Sequence, residues 1–140
     1  MASLDAVAGA VGIADTVARS IHHLIQIINA IKNAPIEIAD LNDELMATEQ
    51  VLLVLEKANE HLPPTSRDML QRTNTLCQNA CDKFRVKLVS WTKNSDDGAA
   101  LHWRDRVGYG VIGRSSVKSL REQLERSKQN VNLAVGIATL

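Results

Sequence analysis

Histidine and cysteine side chains offer the widest chemistry in this 140-residue chain, because both residue types bind metals and take part in catalysis. They are His22, His23, His61, His102, Cys77 and Cys81. No pair among them has zinc-finger spacing, and adjacent residues of a helix point to different faces. Cys77 and Cys81 are four residues apart on an apolar stripe, where cysteine acts as a small hydrophobic residue and a disulfide would be distorted. We therefore predict neither a metal site nor a disulfide.

Two other patterns suggest sites but lack essential parts. Gly108, Gly110 and Gly113 suggest a phosphate loop, yet the Gly-Lys-Ser/Thr sequence and the preceding strand are missing. The carboxylates of residues 37–60 lack the Glu-x-x-His sequence of di-iron bundles, and we interpret them as a solvated helix face. No serine, histidine and acid grouping can be recognised either, so we predict no catalytic residue, no cofactor and no enzyme. A catalytic or metal-binding bundle is the weakest of three alternatives.

The composition excludes one class of partner. Lysine plus arginine number 16, as do aspartate plus glutamate, and aromatic residues make up 3%. Nucleic-acid binding needs clustered cations and stacking aromatics, so we predict no nucleic-acid partner. With 45% hydrophobic and 23% charged residues, we interpret residues 1–140 as one globular domain, the N-terminal part of a longer protein. The longest uncharged run, residues 20–31, is too short for a membrane span.

Apolar residues recur every three or four positions in four long segments, which predicts amphipathic helices. These segments are residues 3–32, 35–61, 65–93 and 115–138. Short polar residues that favour helix starts are placed to cap three of them: Ser3, Thr65 or Ser66, and Ser115 or Ser116. A short helix is predicted over residues 99–107. The predicted fold class is all-α, a helical bundle of four long helices plus one short helix.

The second and third helices carry opposite charges. Residues 35–62 hold seven acidic residues and one lysine, a net charge of −6, whereas residues 63–95 hold six basic and two acidic residues, a net charge of +4. Opposite charge and a short connection predict that these helices are antiparallel neighbours. If the two faces are instead exposed and opposed, the bundle would be a homotypic interaction (adaptor) module without membrane activity that assembles head to tail.

The first helix is more apolar than a surface helix needs to be. Small residues such as Gly9 and Gly12 fit a tightly packed central helix, but they equally fit a segment that leaves the bundle and enters a bilayer. Asp15 and Arg19 are four residues apart, so they can pair and lower the cost of insertion. The residues predicted to insert into the membrane are Leu4, Val7, Val11, Ile13, Val17, Ile21, Leu24, Ile25 and Ile28.

Several segments together match a known pattern. They are Leu4-Asp5, Val11-Gly-Ile-Ala-Asp15, the helix break at Lys32-Asn-Ala-Pro35, Ile38-Ala-Asp-Leu41, Leu101-His-Trp103 and the last helix from Val117 to Leu133. In these segments the chain resembles the N-terminal domain of fungal STAND or NLR-type receptors, the HeLo-like group related to the HeLo domain of the HET-S incompatibility protein. The resemblance covers nearly the whole chain.

The resemblance implies a cell-death-inducing signalling domain that acts in programmed cell death, heterokaryon incompatibility or innate immunity. Such a domain oligomerises with itself, releases its N-terminal helix and permeabilises the membrane, under the control of a C-terminal regulatory module or receptor partner. A cytoplasmic location at rest and the plasma membrane after activation are implied. Trp103, Leu120 and Leu124 are implied to be structural, and Trp91 lies on the apolar stripe of the third helix. Cations of the last helix are predicted to contact anionic lipid heads: Arg114, Lys118, Arg121, Arg126 and Lys128.

Overall fold

The computed structural model describes residues 2–32, 34–58, 62–94, 101–103 and 113–138. In the first helix, side chains are described from Asp15 onward. Most of the described chain is in four long helices: α1 (Ala2–Ala30), α2 (Ile36–Ala58), α3 (Pro64–Ser90) and α4 (Arg114–Ala138). The predicted helical bundle is therefore confirmed.

The four helices pack in a square. α1 lies against α2 and α3, and α4 lies against the same two helices. α2 and α3 thus occupy opposite corners, and among the described residues they do not pack side by side. The prediction that these two helices are antiparallel neighbours is wrong. Their opposite charges do not decide the packing, because each helix buries its apolar stripe against α1 and α4, and that burial outweighs weak surface attraction.

Polar contacts between neighbouring helices fix their directions. The amide of Asn42, near the start of α2, donates to Asn29 at the end of α1 over 3.2 Å, so these helices are antiparallel. Lys87, at the end of α3, donates to Ser116 at the start of α4 over 3.1 Å, which makes the second pair antiparallel as well. Nε of Arg114, at the start of α4, lies 3.5 Å from Oε1 of Glu37, at the start of α2. The ends of α1 and α3 and the starts of α2 and α4 therefore share one end of the bundle.

The core consists of the apolar stripes that helical spacing predicts. α2 contributes residues that are at most 3% exposed: Ile38, Leu41, Leu45, Leu52 and Leu55. α4 contributes Val117, Leu120, Leu124, Val131 and Ala134. Each fully buried leucine or isoleucine stabilises the folded state by about 1.5–3 kcal/mol relative to an exposed one. Burial on both α1 and α4 is what holds α2 and α3 at their corners.

The predicted caps are wrong in all three helices. α3 begins at Pro64, its N-cap is Pro63 in extended conformation (φ −63°, ψ 152°), and no side chain caps it, so Thr65 and Ser66 lie inside the helix. Proline suits the first helical position because it has no N–H that needs an acceptor. Ser3 follows the start of α1 at Ala2, and Ser115 and Ser116 follow the start of α4 at Arg114.

A three-stranded sheet of very short strands closes one end of the bundle. β1 (Ile31–Lys32) follows α1, β2 (Thr92–Asn94) follows α3, and β3 (Leu101–Trp103) lies between them. β3 is parallel to β1 and antiparallel to β2. The short helix predicted for residues 99–107 is therefore wrong at 101–103, and its other residues lie outside the described chain. Backbone pairing with two distant segments overrides the local preference of three residues.

Two tryptophans pack where the sheet meets the helices. The ring of Trp91 lies 5.9 Å from that of Phe84 in an edge-on arrangement and 5.9 Å from that of Trp103. Trp91 is buried, and Trp103 packs against the core. The aromatic group thus joins the end of α3 to the central strand.

Candidate interaction surfaces

Large apolar side chains are exposed mainly on α2 and α3. On α2 these are Ile36, Met46, Leu53 and Val54, and on α3 they are Leu76, Val86 and Val89. The exposed fractions range from 41% for Leu53 to 73% for Ile36, and Leu133 on α4 is the other such residue in the described chain. Because α2 and α3 occupy opposite corners, their exposed apolar residues lie on opposite sides of the bundle. On α3, Leu76 lines a groove beside α4, and Val86 and Val89 lie outside that groove.

The outer face of α2 combines apolar residues with two acidic ones. Its line along the helix runs from Ile36 through Asp40, Asp43, Met46 and Gln50 to Val54, with the three- and four-residue steps of one helix face. Asp40 and Asp43 are exposed, and neither has an ion-pair partner among the described residues. We call this line of residues the α2 outer face.

Three of the other four acidic residues of α2 contact side chains of α1 or α4, and the fourth, Glu56, is half-buried. Oε1 of Glu37 lies 3.5 Å from Nε of Arg114 on α4, and Oε2 of Glu49 lies 3.2 Å from Nδ1 of His22 on α1. Glu44 accepts a hydrogen bond of 2.9 Å from Lys128 on α4. Among the described acidic residues of α2, the two that are exposed are therefore Asp40 and Asp43, on the outer face.

An open groove of about 720 Å³ runs between α3 and α4. Leu76, Phe84 and Leu120 contribute its apolar lining, of which Phe84 and Leu120 belong to the buried core. The charged residues along it are three cations and one carboxylate: Lys83, Lys87, Arg126 and Glu122. None of these four has an ion-pair partner among the described residues. This α3/α4 groove thus combines one exposed leucine, Leu76, with polar side chains and more cations than carboxylates.

The cations predicted to contact lipid heads divide into two groups. Lys118, Arg121 and Arg126 are exposed on α4, and Arg114 is exposed although it pairs with Glu37. Lys128 differs because its side chain is only 18% exposed. Four of the five cations are accessible, so a lipid contact by this helix would rest on them.

Lys128 joins α4 to α2. Its Nζ lies 2.9 Å from Oε2 of Glu44 and 3.1 Å from Oε2 of Glu125. The hydrogen bond to Glu44, helped by Glu125 and opposed by partial burial, raises the pKa of Lys128 above the ordinary lysine value. A contact between Lys128 and lipid would require this pairing to open.

The residues predicted to enter the membrane lie in two parts of α1. Val17, Ile21, Leu24, Ile25 and Ile28 are buried in the core, none of them more than 7% exposed. Leu4, Val7, Val11 and Ile13 lie on the helical backbone of α1, and their side chains are outside the described part. In the described ranges, none of the helices has both the length and the apolar character to cross a bilayer. Asp15 and Arg19 pair over 3.0 Å, as their spacing predicts.

The candidate metal ligands are not brought together where the structure describes them. Nδ1 of His22 lies 3.2 Å from Glu49 on α2, whereas Nδ1 of His23 lies 3.3 Å from Arg85 on α3. No group of three or more histidine, cysteine, aspartate or glutamate side chains suited to a metal ion occurs within the described residues. His61, Gly108, Gly110 and the side chain of His102 lie outside them.

Cys77 and Cys81 are buried free thiols on α3. A hydrogen bond with Cys77 and burial both raise the pKa of the Cys81 thiol, which keeps it protonated at neutral pH. A protonated, buried thiol is a poor nucleophile and a poor metal ligand, so Cys81 packs as a small core residue.

The exposed apolar residues of α2 and α3 were missed by the sequence analysis, which considered only the core stripes and the charges. Met46 and Leu76 do not lie on the apolar stripes of their helices. Their positions could therefore have predicted that these apolar side chains are exposed.

Comparisons with known proteins identify a family. None of the curated proteins and none of the solved structures matches this chain. A protein-family model described as "Pigment biosynthesis cluster protein PigL N-terminal" matches residues 1–140. Because the match extends over all 140 residues, the chain belongs to the family of PigL N-terminal domains.

Proposed function

We propose that this domain is a cell-death-inducing signalling domain of a fungal immune-type receptor, which acts by self-association and by bringing its N-terminal helix to a membrane. The HeLo-like resemblance and the apolar sequence of residues 4–13 support the membrane role. The exposed apolar surfaces on α2 and α3 support self-association, and they are the observation that carries the proposal. The proposed location is cytoplasmic at rest and the plasma membrane after activation.

The burial of α1 decides how membrane contact would occur. Withdrawing the whole helix would expose Val17, Ile21, Leu24, Ile25 and Ile28, at a cost of about 1.5–3 kcal/mol each. Their sum, about 7–15 kcal/mol, is as large as the whole free energy of unfolding of a typical domain. Release of α1 from an isolated bundle is therefore unfavourable, and it would need to be coupled to assembly or to lipid binding.

The N-terminal part of α1 is better suited to contact the membrane first. Residues 2–14 form about 20 Å of helix at 1.5 Å per residue, shorter than the roughly 30 Å hydrocarbon core of a bilayer. In our proposal this segment enters the membrane interface while residues 17–28 remain in the core. The exposed cations Lys118, Arg121 and Arg126 of α4 contribute attraction to anionic lipid heads.

The experiment is a liposome sedimentation and leakage assay, with and without anionic lipid, on the wild-type chain and on the variant Val11→Glu/Ile13→Glu. We expect the variant to lose leakage while it keeps its helical circular dichroism, because two charges in this segment oppose insertion. The matched control, Gln26→Glu/Gln71→Glu, adds the same charge at two exposed positions and should leak like the wild type. Full leakage by Val11→Glu/Ile13→Glu would refute the role of the N-terminal segment.

A second candidate function is a homotypic interaction (adaptor) bundle without membrane activity. The same two surfaces on opposite sides of the bundle favour it, since they support assembly whether or not lipid is present. Assembly of the wild-type chain in solution, with no sedimentation on any vesicle, would establish this function in place of the membrane role.

A further inference from the structure

We infer that the α2 outer face of one copy of this chain docks into the α3/α4 groove of a second copy. The inference deepens the self-association on which the proposed function rests, and it specifies which surfaces meet. It does not depend on the membrane role, because the contact involves neither α1 nor lipid.

The α2 outer face has the form of a helix that fills a groove. Ile36, Met46 and Val54 are 73%, 50% and 53% exposed, and they lie on one side of the helix. A groove that binds an amphipathic helix accepts apolar side chains from one face of that helix. Ile36, Met46 and Val54 are ten and eight residues apart, so they offer such side chains at intervals of two to three turns, and the bundle leaves them in water.

The α3/α4 groove offers what this face requires. Leu76, 58% exposed, gives an apolar contact for the apolar side chains of this face, whereas Phe84 and Leu120 are only 3% and 2% exposed and offer little surface to a partner. Along the rim, Lys83 and Arg126 have no ion-pair partner among the described residues, and neither have Asp40 and Asp43 on the α2 outer face. Complementary charge of this kind aligns two surfaces and accelerates their encounter.

The two surfaces cannot meet within one bundle. α2 and α3 are at opposite corners, so the α2 outer face points away from the groove of its own chain. Both halves of the contact are present on every copy, and their charges are opposite, which favours a second copy over an unrelated partner. A contact between two different surfaces leaves one groove and one α2 face unoccupied in each dimer, so assembly continues into a ring or a filament.

Sedimentation velocity of the full chain over a concentration series tests the contact. The variant Met46→Arg introduces a cation on the α2 outer face, opposite the cations of the groove rim. The variant Leu76→Arg introduces a cation inside the groove. Each should weaken self-association by about tenfold or more. Both positions are at least half exposed, so the fold should persist, and circular dichroism checks this. Leu133→Arg makes the same change at an exposed leucine outside both surfaces and should assemble like the wild type.

Mixing the two defective variants gives the decisive result. The intact α2 face of Leu76→Arg can enter the intact groove of Met46→Arg, whereas the mutated face and mutated groove both carry arginine and repel each other. We expect a one-to-one dimer that does not grow. A mixture that stays monomeric, variants that assemble like the wild type, or a wild-type chain that is monomeric at every concentration would each overturn the inference.

The outcomes separate this inference from the proposed function. Head-to-tail assembly without vesicle leakage would support the contact and refute the membrane role. Leakage by wild-type and Leu76→Arg chains to the same extent, with equal assembly of both chains, would refute the contact and leave the self-association of the proposed function standing.

Discussion

On its α2 side, α4 is held by charged residues that are paired within the bundle: Lys128 with Glu44 and Glu125, and Arg114 with Glu37. On its α3 side, the same helix borders an open groove whose charged residues have no ion-pair partner in the described chain. The α2 side also has an open cavity, whose cations Lys118 and Arg121 have no ion-pair partner among the described residues. The two sides still differ, because within the described residues the ion pairs that join α4 to another helix all lie on the α2 side. Substitutions on the two sides should therefore affect different measurements.

The largest effect is expected where both sides of α4 depend on the same core residue. Leu124 is fully buried, and Leu124→Ala should lower the free energy of unfolding by about 2–5 kcal/mol through lost burial and the cavity it leaves. Urea unfolding followed by circular dichroism measures this. Leu133→Ala, at a leucine that is 58% exposed, is the control and should change stability by less than about 1 kcal/mol. Equal losses would show that the two positions are not differently buried.

On the paired side, Lys128→Met should destabilise the fold by about 1–3 kcal/mol, because it removes charged hydrogen bonds and leaves two carboxylates without a cation. Methionine matches the lysine side chain as far as Cε and lacks only the charged group, so the packing of the stem is preserved. Urea unfolding provides the value, and sedimentation velocity should show unchanged assembly. If Lys128→Met lost assembly and kept its stability, Lys128 would contribute to self-association and not to the fold, which contradicts the prediction.

Unfolding measurements at alkaline pH test the contribution of Lys128 on the α2 side of α4. The pKa of Lys128 is higher in the folded chain than in the unfolded chain, since Glu44 and Glu125 favour its charged form. This pair therefore contributes its full stability below the unfolded pKa, near 10.5, and loses it as pH rises through the higher folded pKa. We expect the stability difference between wild type and Lys128→Met to shrink above that pH. A difference that grows with pH would contradict the assigned direction.

The smallest effect on stability is expected on the open side. Lys83 is exposed and has no ion-pair partner among the described residues, so Lys83→Met should change the free energy of unfolding by less than about 0.5 kcal/mol. It should nevertheless weaken self-association, and the loss should be smaller at high salt, where the rim charges are screened. A destabilisation equal to that of Lys128→Met would show that the charged residues on both sides of α4 contribute equally to the stability of the fold.

Helical periodicity was sufficient to predict the core. Ile38, Leu45 and Leu120 are spaced as a buried helix face requires, and the structure buries all three. The same periodicity, applied to the opposite side of α2 and α3, would have indicated Met46 and Leu76 as apolar residues with no place in the core. These two are the central residues of the inferred contact.

The arrangement of the helices could not be predicted in this way. An apolar stripe predicts that a helix packs against other helices, but it does not identify them. The opposite charges of α2 and α3 predicted that these two helices are neighbours, and they are not. Residues 101–103 form a strand because the ends of α1 and α3 lie on either side of them, and that placement exists only after the bundle has formed. Pairing between segments so far apart in the chain cannot be predicted from the local sequence of three residues.

The sheet at the end of the bundle gives the protein an optical reporter. The sequence has two tryptophans, Trp91 and Trp103, and both lie beside the strand that pairs with the residues directly after α1. Their fluorescence emission therefore senses events at that end of the molecule. A step that pulls the C-terminal end of α1 from the bundle would shift the emission, whereas one confined to residues 2–14 at the opposite end would leave the spectrum unchanged.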